Sequence, residues 1–245
     1  MPNSHRDTSN HPELRDAIFS EVKRRGIRTD ALASTGPSNA SRRWYSASVP
    51  EAGLRGDANS PIARAPFGPH EIQALEQAIE IAEDLVSNHY KISTSDWKRY
   101  RYDIRSLADL TAEEITDSAF AQIRRYLRCP DQKLRGSNPA DYFKICLQDH
   151  VIRKATQRDP QIGLLALCVY IVIHELIHVI RFARFIQRFD ASLSEQEMEE
   201  TRVHDLTFIV LRNRRVPGIQ EVLGAFSDCR TMETFHGVPE GASAQ

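Results

Sequence analysis

The chain lacks a cysteine framework, a strong net charge and an apolar leader. Its four cysteines are widely separated and form no CxxC pair, which excludes a small disulfide-rich scaffold and favours reduced thiols. A net charge of -1, with the arginines scattered along the chain, gives no electrostatic reason to expect a nucleic-acid partner. The opening stretch MPNSHRDTSNHPELRD has no apolar core of signal-peptide length. These absences together predict a cytoplasmic protein.

The sequence also lacks a glycine-rich phosphate loop, a nucleophile elbow and internal repeats, so it does not indicate a nucleotide-binding or serine-hydrolase site. The uninterrupted apolar stretch from Ile162 to Ile173 falls short of the roughly 20 residues that a bilayer-spanning helix needs. We therefore expect no membrane partner. A helix that is apolar on every side is instead expected to be buried within the protein.

Composition divides the chain near residue 66. Residues 1–66 are rich in Ser, Asn, Ala, Gly, Pro and Arg, which predicts a mobile, disordered N-terminal tail. One stretch within it, ELRDAIFSEVKRRG, predicts a short amphipathic helix, which either has no task or docks onto a protein partner. Residues 67–235 predict a helical metal-binding domain, and residues 236–245 a disordered C-terminus.

Helical periodicity dominates the sequence beyond Pro69. The stretch HEIQALEQAIEIAEDLVSNHY carries a single apolar stripe and predicts a helix. The stretch YDIRSLADLTAEEITDSAFAQIRRYLRC predicts one or two further helices, the second with a capping box formed by Thr111 and Glu114. A helix is also predicted to begin at Asp159-Pro160 and to run through the apolar stretch.

Between these segments, ADYFKICLQDHVIRKATQ follows a helix-start signal at Asn138-Pro139. The alternation of Phe143, Ile145 and Leu147 also fits a short strand, but the longer helical register is favoured. The predicted fold class is therefore mainly α. We expect a compact helical domain around one buried helix, packed antiparallel on the helix that follows it.

The stretch VIHELIHVIRF carries the strongest chemical signal in the chain. At about 100° per residue, His174 and His178 lie about 40° apart on one helix face, where both rings can bind one metal ion. Glu175 lies beside them, while Leu176 and Ile177 point into the core. Burial of unpaired polar side chains costs on the order of kilocalories per group, so a metal ion is expected to compensate them.

A Zn²⁺ ion held by two histidines needs a third protein ligand, and the next helix offers Glu200 and His204. This helix is predicted to begin with Ser194 as its cap and Glu197 as the capping-box partner. The face predicted to point inward contains Val203, Thr207 and Leu211, and the outward face contains Glu195 and Glu199.

The choice between the two candidate ligands depends on the loop between the helices. In an antiparallel hairpin folded near Ala191, His204 lies level with His178, and Glu200 lies one turn nearer the loop. A few loop residues shift that level by roughly 5 Å, which brings Glu200 level instead. Either residue therefore completes the site, or one binds the metal and the other supports a ligand or the substrate oxyanion.

The motif His174-Glu175-Leu176-Ile177-His178 resembles that of the zincin metallopeptidases. The resemblance covers the motif helix and part of the next one. The metzincin branch is excluded, because the glycine and histidine that it requires are replaced by Arg181 and Arg184. The remaining pattern is similar to the gluzincins, in which a glutamate roughly twenty residues downstream completes the site. Glu200 matches that spacing, whereas the substrate-binding strand usual in zincins is not evident.

The resemblance implies a zinc-dependent peptidase acting on a peptide or protein substrate. His174 and His178 are then zinc ligands, and Glu175 is the general base. Two alternatives stay open: a non-catalytic, metal-stabilised helical interaction domain, and a ferritin-like di-metal carboxylate protein. The second needs another Glu-x-x-His, but the residue three before His204 is Thr201.

Overall fold

The computed structural model describes residues 42–48, 64–97, 100–127 and 141–230. Its strands are β1 (Arg42–Ser48), β2 (Tyr102–Arg105), β3 (Ala119–Leu127) and β4 (Asp141–Leu147). Its helices are α1 (Pro69–Tyr90), α2 (Thr94–Trp97), α3 (Asp149–Arg158), α4 (Leu164–Ala183), α5 (Leu193–Leu211) and α6 (Ile219–Ala225). Short 3-10 turns occur at Leu107–Asp109, Ala112–Glu114 and Ser227–Cys229.

The strands form one mixed sheet in the order β1-β3-β4-β2. β3 pairs antiparallel with both β1 and β4, whereas β2 pairs parallel to β4. The prediction of a mainly α domain is therefore wrong, because the chain folds into helices packed on a sheet. In β4, every second residue, Phe143, Ile145 and Leu147, is buried, as expected for a strand with one face on the core. The helix that the sequence favoured for this stretch forms only after β4, as α3.

Strands and turns also replace the helices predicted for residues 102–129, over the described part of that stretch, residues 102–127. Thr111 and Glu114 do form a capping box, but it opens only the 3-10 turn Ala112–Glu114. In β3 the side chains from Ala119 to Arg124 are buried without interruption, because both faces of the strand are covered. A strand buried on both faces has no polar alternation, which is why its sequence does not identify it as a strand.

Helix α4 is the centre of the domain, and its side chains are buried from Ala166 to Phe182. It contacts α1, α5 and the sheet, where Phe143 stacks on Phe182 with ring centroids 5.9 Å apart. This confirms the predicted burial on all sides. By length and composition alone, α4 could cross a membrane, and 89% of its apolar window is buried inside the protein.

The boundaries of the other helices agree in part with the predictions. The predicted helix after Pro69 is confirmed as α1. Helix α4 begins at Leu164 rather than at Asp159-Pro160. Helix α5 is capped by Ser192 and Glu195, two residues before the predicted pair, because the Ser192 hydroxyl accepts the backbone N–H of Glu195.

Strand β1 lies within residues 1–66, the stretch for which the sequence predicted a tail with one helix. The predicted helix of that tail and the predicted disordered segment 236–245 lie outside the described residues. Their structure is therefore not part of the fold described above.

Candidate metal centre

The two motif histidines point their rings at the same place. His174 Nε2 and His178 Nε2 lie 3.1 Å apart, and neither residue is accessible to solvent. Because α4 holds them one turn apart on one face, the helix itself produces this convergence. The predicted pairing of the two rings is thus present in the structure.

Glu200 on α5 faces both rings. One carboxylate oxygen, Oε2, lies 3.3 Å from His174 Nε2, and the other, Oε1, lies 3.2 Å from His178 Nε2. Zinc bonded at about 2.0–2.1 Å in a tetrahedral site separates its ligand atoms by about 3.3 Å. The spacing of these atoms and their chemistry therefore fit a divalent metal ion such as Zn²⁺.

His204 lies next to the triad formed by His174, His178 and Glu200, and it has a different partner. Its Nδ1 is 2.7 Å from the hydroxyl of Tyr170, and its ring centroid is 4.4 Å from that of His174. Ligand atoms of His174, Glu200 and His204 all lie within 4.8 Å of one another. The structure thus brings both sequence candidates to the centre, with Glu200 touching both imidazoles and His204 at its edge.

The side-chain contacts between α4 and α5 follow opposite sequence directions in the two helices, as expected for antiparallel packing. Tyr170 meets His204 and His178 meets Glu200, while Arg181 meets Glu199 nearer the loop. The connection from Ala183 to Leu193 sets this register, which the sequence left open.

Electrostatics in the centre follow from burial and from the Glu200 charge. Burial lowers the pKa of His174. Burial also opposes protonation of His178, but the Glu200 carboxylate outweighs it and raises the pKa of that imidazole. Burial would raise the pKa of Glu200, yet the two imidazoles, His178 first, hold it well below its usual range. For His204, burial and the neighbouring His174 lower the pKa to about 2.

Glu175 is fully buried beside the triad. Its charge contributes to the raised pKa of His178, after burial and the larger effects of Glu200. The predicted general base is therefore near the imidazoles, on the same turn of α4.

A buried ion pair next to the centre was missed by sequence reasoning. Arg181 donates through Nε and Nη2 to the two carboxylate oxygens of Glu199, the second bond being 2.9 Å long. The prediction that Glu199 points outward is wrong, because the residue is 4% exposed. One signal for it was present in the sequence: an arginine within a helix buried on all sides requires a carboxylate partner.

Access to the centre is narrow. Glu200 is the member of the triad with measurable exposure, its side chain being 19% accessible. Cavities of about 440 and 170 Å³ lie elsewhere, and neither is lined by His174, His178, Glu200 or His204. A ligand from solvent would therefore reach the centre past Glu200.

Comparison of the chain with protein-family models, with curated proteins and with solved structures gives no match.

Proposed function

We propose that this protein is a zinc-dependent peptide hydrolase in which His174, His178 and Glu200 hold the metal. The observation that carries this proposal is the spacing of 3.1 to 3.3 Å among the two imidazole nitrogens and the carboxylate oxygens. Support also comes from Glu175, a carboxylate on the same helix turn, buried beside His178.

The chemistry divides between the metal and the side chains. Bound zinc supplies a Lewis acid that polarises the scissile carbonyl and lowers the pKa of a water toward about 7. The Glu175 carboxylate accepts the proton of the attacking water and returns it to the nitrogen of the leaving amine. Glu200 contacts both buried imidazoles, so the three side chains keep their geometry without reorganisation during the reaction.

The proposed hydrolase is tested by separating metal binding from turnover. Glu175→Gln should keep about one zinc per chain and lose peptidase activity, because it removes the base but no ligand. His174→Ala should lose both zinc and activity. Glu197→Gln is a matched control, since Glu197 is an exposed glutamate on α5.

Zinc content is measured by elemental analysis, and activity by cleavage of a mixed peptide library followed by mass spectrometry. Equal zinc content in the wild type and His174→Ala would refute metal binding at this centre. Full activity of Glu175→Gln would refute the assigned base.

A second function, a structural metal site in a non-catalytic interaction domain, is favoured by the burial of the centre. His174 and His178 have no solvent-accessible surface, and the cavities described above lie away from them. In that case the wild type cleaves no peptide and Glu175→Gln keeps the wild-type zinc content, while removal of zinc lowers the melting temperature.

A further inference from the structure

Tyr170 and His204 form a buried pair at one edge of the metal centre. The Tyr170 hydroxyl lies 2.7 Å from His204 Nδ1, and the two residues are 0% and 3% exposed. Phe226 stacks on both rings, with its centroid 4.2 Å from that of Tyr170 and 5.7 Å from that of His204. Packing and the hydrogen bond together fix the orientation of the His204 ring.

His204 lies close to the position of a metal ligand without matching it. Its ligand atom lies within 4.8 Å of those of His174 and Glu200. The corresponding separation in a tetrahedral zinc site is about 3.3 Å, so the ring would bind after an inward movement on the order of 1 Å. Such a movement is within the range of a side-chain adjustment.

The bond to Tyr170 decides which nitrogen of His204 is available. A neutral imidazole has one N–H and one lone pair. When Nδ1–H donates to the Tyr170 oxygen, the lone pair is on Nε2, which has no hydrogen bond among the described residues. Histidines that bind metals commonly have their tautomer fixed by such a bond on the other ring nitrogen. Tyr170 thus has the chemistry of a positioning residue for His204.

We infer that His204, oriented by Tyr170, is a fourth and exchangeable ligand of the metal held by His174, His178 and Glu200. This inference rests on the proposed function, since it requires a metal at the centre. Catalytic zinc sites keep one position open, whereas structural sites are closed by four protein ligands. In the metal-loaded protein His204 therefore closes the centre, and substrate enters only when the ring moves back to the position that it has in the structure, 2.7 Å from the Tyr170 hydroxyl.

The number of imidazoles bound to zinc tests this inference directly. X-ray absorption spectroscopy of the zinc-loaded full chain should give three imidazoles for the wild type and two for His204→Ala. His70→Ala is the matched control, because His70 is an exposed histidine on α1 and its removal should leave the count at three.

An exogenous ligand tests whether His204 blocks the open position. In the cobalt-loaded protein, azide binding is followed by the visible absorption of the metal. His204→Ala should bind azide at least about tenfold more tightly than the wild type, because the competing ligand is gone. Cobalt-loaded His70→Ala should bind azide as the wild type does.

Tyr170→Phe provides a second variant that keeps the ring and its packing. Loss of its hydroxyl removes the partner of Nδ1, so zinc affinity should fall about tenfold while the ring stacking is preserved. This variant tests the inference even if His204→Ala fails to fold. Zinc affinity is measured by competition with a chelating dye.

The outcomes separate this inference from the proposed function. Two imidazoles in the wild type, with azide affinity unchanged in His204→Ala, would overturn the fourth ligand and leave the zinc hydrolase intact. Unchanged zinc affinity in Tyr170→Phe would overturn the positioning role. A wild-type chain that binds no zinc would defeat the proposed function and this inference together.

Discussion

Two buried polar clusters in this domain differ in what neutralises them. On the face of the sheet turned away from α4, the Glu114 carboxylate accepts hydrogen bonds of 2.8 Å from Lys144 and Tyr126. In the candidate metal centre, the atoms that converge are two imidazole nitrogens and the oxygens of a carboxylate. The first cluster contains its own ammonium and hydroxyl donors, whereas the second brings together side-chain atoms that are all possible metal ligands.

A buried polar cluster can be interpreted by whether it contains its own cation. A cluster that contains its own donors and its own cation is complete, and its role is to hold the 3-10 turn Ala112–Glu114 against the sheet. A cluster of lone pairs is stabilised by a shared cation, either a proton or a metal ion. Removing one partner from each cluster should therefore have different consequences.

The largest effect is expected from Lys144→Met. It leaves Glu114, which is 2% exposed, without its buried cation, and should destabilise the fold by about 3–5 kcal/mol. Zinc content should stay at the wild-type value. Urea unfolding gives the free energy, and Glu113→Gln is the control because Glu113 is 82% exposed. A loss below about 1 kcal/mol would mean that water replaces the cation.

The next effect concerns the candidate metal centre. Zinc at 100 times its Kd should stabilise the wild type by about 3 kcal/mol, and should not stabilise His174→Ala. Thermal unfolding with and without zinc measures this difference. Lys144→Met should still gain stability from zinc, since its defect lies in the other cluster. Equal stabilisation of wild type and His174→Ala would show that zinc acts elsewhere on the chain.

A smaller effect is expected at the buried Arg181–Glu199 pair. Arg181→Lys keeps the charge but cannot bond both carboxylate oxygens in the planar fork, so it should cost about 2 kcal/mol. Zinc affinity should weaken a few-fold, because Glu199 precedes Glu200 on α5. Arg188→Lys is the matched control, since Arg188 is 80% exposed. An equal loss of stability in both variants would contradict a role for the two hydrogen bonds from the Arg181 guanidinium.

The smallest effect is on the pH dependence of stability. Burial raises the pKa of Glu114, but the Lys144 ammonium and the hydrogen bonds from the Thr111 backbone and Tyr126 together outweigh it, so the folded-state pKa lies below the usual value of 4.5. The ionised carboxylate therefore contributes stability above pH 4.5, and this contribution is lost as the pH falls through the folded-state pKa.

Urea unfolding of the wild type and Glu114→Gln, both in chelator, should differ most near neutral pH. The difference should shrink as the pH falls below 4.5, because Glu114 is neutralised first in the unfolded chain and then, at its lower pKa, in the folded one. A difference that is constant from pH 7 to pH 3 would show that the carboxylate charge is unimportant.

The convergence of His174 and His178 could be predicted because it depends on helix geometry alone. Two residues four apart share a face in any α-helix, whatever the rest of the fold does. The partner from α5 depends on the length of the connecting loop, so Glu200 and His204 could be named but not ranked. The Arg181–Glu199 pair depends on the same register, which is why it was missed.

The sheet was missed for a different reason. In β3, Gln122 and Arg124 are buried on the face opposite Ile123. The alternation of polar and apolar residues in this strand therefore does not distinguish an exposed face from a buried one. The segment from Thr111 to Glu114 adds a capping signal that is real but continues into only one 3-10 turn. Tertiary contacts determine whether such a segment becomes a helix or a strand, and here the pairing of β3 with β1 and β4 favours the strand.

Because α4 is apolar all round up to Ile173, its solubility depends on its neighbours. A chain released before α5 is synthesised exposes one side of this helix, and a chain that loses α1 exposes another. Such species would self-associate, since a long apolar segment has no polar face to turn toward water. We therefore expect truncations within α1 or α5 to yield inclusion bodies rather than partly folded monomers.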